Sequence, residues 1–259
     1  LNFVVYDTLS LGFSLAARNL SAKYRQNFAS FIWAFVQPAI VTLSFVMANK
    51  INLINTSVSD VPYPLFAFIG STMWSLASDC LEGPTLSLLG AKPFLTKVKF
   101  NRSAIIIAQI CEICVQFGLR FLLVGVLLAY YGYTVSLPGF ASSIAFCLCI
   151  ILVCSALGMV FGPFHMLFQD LYNMFKIVMS YGLFLVPAIY KIPGDGVIVR
   201  LLNENPIAFL IVGARDGLLH PPSVSWSVIF LSLLLSLAVF VVGFRFFSRS
   251  VPHIIDRLV

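Results

Sequence analysis

Charged side chains are scarce in this chain of 259 residues: Lys, Arg, Asp and Glu make up 10%, against 60% hydrophobic residues. A soluble domain carries roughly 25% charged residues, so water is excluded as the main solvent, and a mean hydropathy of +0.98 agrees. Histidine is scarce too. His165, His220 and His253 lie far apart, and "CEIC" at 111–114 has no second ligand pair to complete a C-x-x-C metal or redox site. The six cysteines fall in or at the ends of apolar runs and read as packing residues, with no metal and no structural disulfide expected. Catalytic patterns are missing as well. The chain has no nucleophile elbow, no H-E-x-x-H, no paired carboxylates at useful spacing and no G-x-x-x-x-G-K-[ST]. The nearest string to the last, "LLGAK", lacks the loop and the hydroxyl that would meet magnesium. No enzyme and no cofactor are expected in this chain; ATP, if used, is bound with magnesium by another one.

What the sequence holds instead is a series of apolar runs near the roughly 20 residues that cross a bilayer as a helix. Six spans are expected, at Phe31–Ala48, Tyr63–Leu81, Ala104–Tyr131, Pro138–Phe161, Tyr172–Ile189 and Trp226–Phe247. Pro38 and Pro187 fall inside spans one and five and predict kinks. "GMVFG" at 158–162 is a GxxxG pattern, which lets helices approach closely. Before span one, Leu9, Phe13, Ala16, Leu20 and Tyr24 recur at helical spacing with Ser10, Ser14, Arg18, Ser21 and Arg25 opposite. That pattern predicts an amphipathic interfacial helix with Asp7 as its N-cap. The fold class is all-α: one polytopic membrane domain over 1–259. The first 25 residues end in charge rather than begin with it, against a cleavable signal peptide.

Orientation follows from the basic residues. The N-terminal segment, the 82–103 loop, the 162–176 loop and the C-terminal tail hold eleven lysines and arginines. Lys50, Lys191, Arg200 and Arg215 fall on the other side, and Arg120 lies within a span. The richer side is cytosolic, which places both termini there. The net charge of +6 is then read as loops facing anionic headgroups, not as a nucleic-acid surface.

Between spans five and six, "NPIAFLIVGARDGLLHPP" is apolar for too few residues to cross a bilayer. Asn205 and Pro206 form an N-cap and first-turn pair. Two short helices, about 197–204 and 206–219, are expected to dip in from the outer side.

Two further groups of residues carry candidate chemistry. Glu112, Gln116 and Arg120 step by four along span three and share one face. Ionisable groups within a membrane are functional candidates; the alternative is that Glu112 and Arg120 satisfy each other through Gln116 or a neighbouring subunit. Aromatics recur at Phe28, Phe31 and Phe35, at Tyr63, Phe66 and Trp74, and at Tyr181 and Phe184. They suit the apolar faces of sugar rings, or else lipid, packing and an interfacial belt.

The strings "YRQNFASFIWAFVQPAI", "VPYPLFAFIGSTMW", "LTKVKFNR" and "NPIAFLIVGARDGLL", in this order behind an amphipathic helix, resemble the membrane subunits of type-2 ABC exporters. The likeness is to the O-antigen and capsular-polysaccharide permeases, the Wzm-like family, and it covers nearly the whole chain. It implies a homodimer in the bacterial inner membrane with two ATP-binding cassette ATPase subunits beneath it. The substrate implied is a lipid-linked glycan. The basic stretch after span two would be a coupling helix over about 84–100, begun near Pro84, with Leu89, Lys92, Phe94, Leu95 and Lys97 meeting the ATPase. Spans one, two and five would line the channel with Phe31, Phe35, Tyr63, Phe66, Trp74, Tyr181 and Phe184. Asn205, Pro206, Arg215 and Asp216 would belong to an outer gate, and Arg18, Lys23 and Arg25 would steer headgroups or the carrier's diphosphate. A permease for teichoic acid, glycolipid or drug is the nearest alternative. An ion-coupled secondary transporter would need inverted repeats and broken midplane helices, which the sequence does not display.

Overall fold

Backbone groups in hydrocarbon must find partners within their own segment, which favours helices. Every regular element among the described residues of the computed structural model is helical. Those residues are 2–26, 28–51, 61–95, 103–190, 204–221 and 224–258, with the side chains at 2–7, 24–26, 28–35, 37, 49, 92–95, 169 and 255–258 left undescribed. The helices are α1 (Asn2–Gln26), α2 (Phe28–Lys50), α3 (Tyr63–Leu95), α4 (Ser103–Tyr130), α5 (Leu137–Leu167), α6 (Gln169–Gly182), α7 (Pro206–Leu219) and α8 (Trp226–Leu258). Residues Ser103–Tyr130, Leu137–Leu167 and Trp226–Ile254 are long and apolar enough to cross a membrane. The chain is a multi-pass helical membrane protein.

At the centre stands α3. Leu65, Ala67, Ile69, Met73, Leu76, Ala77 and Cys80 are fully buried, between α2, α4, α5 and α7. Hydroxyls along this helix find acceptors in its own backbone. Ser71, Thr72 and Ser75 accordingly donate to the carbonyls of Phe68, Phe68 and Ser71 within their own helix. α5 runs alongside α3 in the same direction. Gly158 of α5 abuts Leu81, Cys80 and Pro84, and Gly162 abuts Leu88, so the GxxxG pattern is the seam between these two helices. Lower on the same seam, the Thr85 hydroxyl and His165 Nδ1 meet at 2.9 Å. α4 is antiparallel to α3, with Arg120 opposite Asp79 and Gln109 opposite Ser87. α8 parallels α5, as Cys149–Ser232 and Ala156–Gly243 require.

Four expectations change. The α3 helix does not stop at Leu81; it runs unbroken through Pro84 to Leu95, so the stretch from 84 is its last turns and not a separate helix begun at Pro84. Span five is helical only as far as Gly182, then passes through a 3-10 turn at Leu183–Leu185 into extended chain. Pro187 therefore kinks no helix; the helix has already ended. α1 begins at Asn2, so Asp7 is internal and not its cap. Finally, α1 lies lengthwise on α4, packed through Thr8, Gly12 and Ala16, while Leu9 and Phe13 of the expected apolar stripe face outward. The small residues win because they let the two backbones approach: a Cβ on Gly12 would stand 2.7 Å from Ile107. Pro38 does lie inside α2. The expected helix at 197–204 falls almost wholly outside the described residues.

Candidate functional site

Laying α1 on α4 leaves a cavity of about 670 Å³ between α1, α3 and α4. Its walls carry both signs of charge. Arg18 and Lys23 come from α1, Asp79 and Glu82 from α3, and Glu112 from α4. Two of the carboxylates are already engaged: Arg120 Nη1 donates to Asp79 Oδ2 at 2.6 Å, and Asn19 Nδ2 donates to Glu112 Oε1 at 2.8 Å. Glu82 has no such partner among the described residues, and Arg18 meets only the adjacent Asn19, at 3.4 Å. Ser87 donates to Gln109 across one end of the cavity, while Leu11, Leu15, Leu86 and Ile105 supply apolar wall.

The polar ladder on α4 is thus real as a face but not as a self-contained network. Glu112 and Arg120 do not pair; each is bound to a different helix. Gln116 lines the cavity between them. Asp79 and Asn19 join the site from outside the expected set. Asp79 did signal itself, as an acid inside an expected span.

At the opposite end of α3, a second constellation surrounds Arg215. Asn205 caps α7 by accepting from the Ile207 N–H at 3.0 Å, with Pro206 at the first helical position, as the sequence predicts. From there α7 runs antiparallel along the first half of α5, where Ser143 donates to the Ala214 carbonyl. This seat carries Arg215 into the core. The side chain is 2% exposed, its guanidinium lies 4.0 Å from the Phe66 ring centroid, and its Nε donates to Asp216 at 2.8 Å. Arg215 Nη1 donates to the carbonyls of Pro187 at 2.9 Å and Ala188 at 2.7 Å. Those acceptors belong to the extended chain that follows α6. Buried backbone outside a helix must find donors elsewhere, and Arg215 supplies them from α7. Gly70 completes the fit, because a Cβ there would overlap the Ala188 carbonyl oxygen.

The remaining expected site residues are divided. Tyr63 and Phe66 are buried, and Phe66 lies beneath Arg215, so neither offers an open ring face to a channel. Trp74 is half-buried against Gly182, whereas Tyr181 and Phe184 are exposed, Phe184 beside Phe45 at 5.8 Å. Leu89 is half-buried on α3. The side chains of Phe31, Phe35, Arg25, Lys92, Phe94 and Leu95, and all of Lys97, lie outside the described residues.

Over 124 residues the chain is 26% identical to the "O-antigen export system permease protein RfbA" of Myxococcus xanthus. That stretch covers 46% of this chain and 46% of the relative, so the chain spans about half the length of the curated protein it matches. No protein-family model matches the chain. The likeness to the permease subunits of O-antigen-type exporters, drawn above from short strings, is thus met again in a comparison made along the chain.

Proposed function

We propose that this chain is the membrane-spanning subunit of an ATP-driven exporter that moves lipid-linked polysaccharide of the O-antigen or capsule type across the bacterial inner membrane. The observation that carries this reading is its similarity to an O-antigen export permease. In this reading two copies form the channel, and two separate ATPase subunits hydrolyse ATP with magnesium. Six spans with both termini cytosolic follow from the distribution of basic residues. Burial of Arg215 removes it from the outer loops, which sharpens that asymmetry. The length of α3 supports a docking role for its end. Its 33 residues reach about 50 Å at 1.5 Å per residue, against about 30 Å of hydrocarbon. Its final turns, with Leu89, Lys92, Phe94 and Leu95, then project into the cytosol toward the ATPase, and Lys97 follows. Tyr181 and Phe184 are the exposed aromatics retained as channel candidates.

Measuring ATPase activity of the co-purified complex, with and without lipid-linked glycan, tests the reading. Stimulation by the glycan is expected. Stimulation by a teichoic-acid precursor, a glycolipid or a drug, and not by the glycan, would reassign the substrate. Nucleotide binding by this subunit in the absence of any ATPase would overturn the division of labour.

A further inference from the structure

The cavity between α1, α3 and α4 is large enough for a ligand, since small-molecule sites commonly occupy about 300–1,000 Å³. Its charges show which kind. Three carboxylates line it beside two cations, so it is a poor seat for a diphosphate, which brings only negative charge. That argues against using Arg18 and Lys23 to hold the carrier's diphosphate at this place. The charges left uncompensated are informative. Asp79 is neutralised by Arg120, but Glu112 is held only by the neutral amide of Asn19, so Arg18, Lys23, Glu82 and Glu112 all keep their charge facing the cavity. Two cations and two carboxylates, facing one space, match a ligand that carries a phosphate and an ammonium together; of the two carboxylates, Glu82 is the one with no hydrogen-bond donor among the described residues.

We propose that this cavity binds one zwitterionic phospholipid, with the phosphate between Arg18 and Lys23 and a primary ammonium on Glu82. The apolar lining fits the rest of the molecule. Leu11 and Leu86 are partly exposed at the rim and Leu15 and Ile105 stand beside them, a surface suited to acyl chains entering from the bilayer. A primary ammonium is favoured over a trimethylated one because it can donate N–H bonds to the Glu82 carboxylate; a quaternary nitrogen has none to give. The lipid would bridge α1 to α3, two helices whose direct contact is slight, and so hold α1 in place. This site is independent of the exported substrate.

The test is a binding measurement, so its failure would leave the export reading untouched. The full chain, delipidated in a neutral detergent, is titrated with phosphatidylethanolamine, phosphatidylcholine, phosphatidylglycerol and a polyprenyl diphosphate, and bound lipid is counted by native mass spectrometry. One phosphatidylethanolamine per chain is expected, held about tenfold or more tightly than the other three, the size of one lost charge-assisted hydrogen bond. The isosteric change Glu82→Gln should bring phosphatidylethanolamine down to the level of phosphatidylcholine. Arg18→Gln with Lys23→Gln should weaken both lipids alike. Equal or tighter binding of phosphatidylglycerol or the diphosphate by the unaltered protein would overturn the proposal, and that ranking needs no variant to fold. Undiminished phosphatidylethanolamine binding by Glu82→Gln would overturn it as well.

Discussion

Replacing Arg215 by Met keeps an unbranched side chain of similar reach and removes every donor. The carbonyls of Pro187 and Ala188 then stay buried without the donor that meets each at 2.9 and 2.7 Å. Each orphaned acceptor is destabilising by about 1–3 kcal/mol. Losing a desolvated cation–π contact with Phe66, at 4.0 Å, adds about 2 kcal/mol. Together these reach about 4–8 kcal/mol. Part of that is offset, because the unfolded arginine no longer has to be taken out of water, which leaves about 3–5 kcal/mol, the range for stranding one side of a buried charged contact. At roughly 2–4 °C per kcal/mol for a chain of this size, the melting temperature should fall by about 10 °C. The buried thiols of Cys80, Cys147, Cys149 and Cys154 permit a direct assay: with the accessible Cys111 and Cys114 replaced by Ser, a thiol-reactive fluorophore in detergent reports their exposure on heating. Arg215→Lys should be intermediate, since an ammonium lacks the fork that reaches two carbonyls and Asp216 together. Asp216→Asn should shift little, because that side chain is about one-third exposed. A melt of Arg215→Met within about 2 °C of the unaltered protein would refute the argument that Arg215 holds the broken end of span five.

Other expectations concern the α3 contacts. Gly158→Ala should lower thermal stability sharply and Gly162→Ala only slightly, because the first new methyl meets the Leu81 carbonyl and the second a movable Leu88 methyl at 3.2 Å; equal melting temperatures would show that α5 can shift. Arg120→Gln alone should impair expression and melting more than Arg120→Gln with Asp79→Asn, because the single change leaves Asp79 charged and stranded; a worse double variant would mean the two charges act separately. Phe94→Asp with Leu95→Asp should leave the subunit inserted but abolish transport, by placing charge in a contact surface. Single cysteines over 90–96 that fail at every position to crosslink to the ATPase would remove the docking assignment.

The positions of most helices were legible because lipid imposes a long apolar run. The spans expected at Ala104–Tyr131 and Trp226–Phe247 begin where α4 and α8 do, within a residue. Hydropathy follows the solvent, however, and not the hydrogen-bond ladder. Glu82 and Pro84 therefore read as the end of an element that in fact continues to Leu95. The same limit applies to the ladder on α4. Spacing by four places Glu112, Gln116 and Arg120 on one face, but gives no information about the facing helix, and Asp79 lies 41 residues away. Arg215 was legible as an unusual charge in a short apolar helix and was assigned to an outer gate. Its role as a donor to carbonyls 27 and 28 residues earlier depends on where α6 ends, and no local pattern marks that end except Pro187 beyond it.

Because α3 is a single helix from Tyr63 to Leu95, it is also a lever. Phe66, under Arg215, and Leu95, at the far tip, are separated by about 43 Å of rigid rod. Of its interior prolines, Pro84 is splinted by α5 at Gly158, and Pro93 lies in the last turn, beside the tip itself. A push delivered at the tip therefore cannot be absorbed along the way; it arrives at the guanidinium as tilt or translation of the whole rod. Arg215 joins that rod to α7 and to the chain at 187–188, so all three must swing together or the clamp must open. Transmission from one face of the membrane to the other would then be a matter of statics, set by where the fulcrum lies.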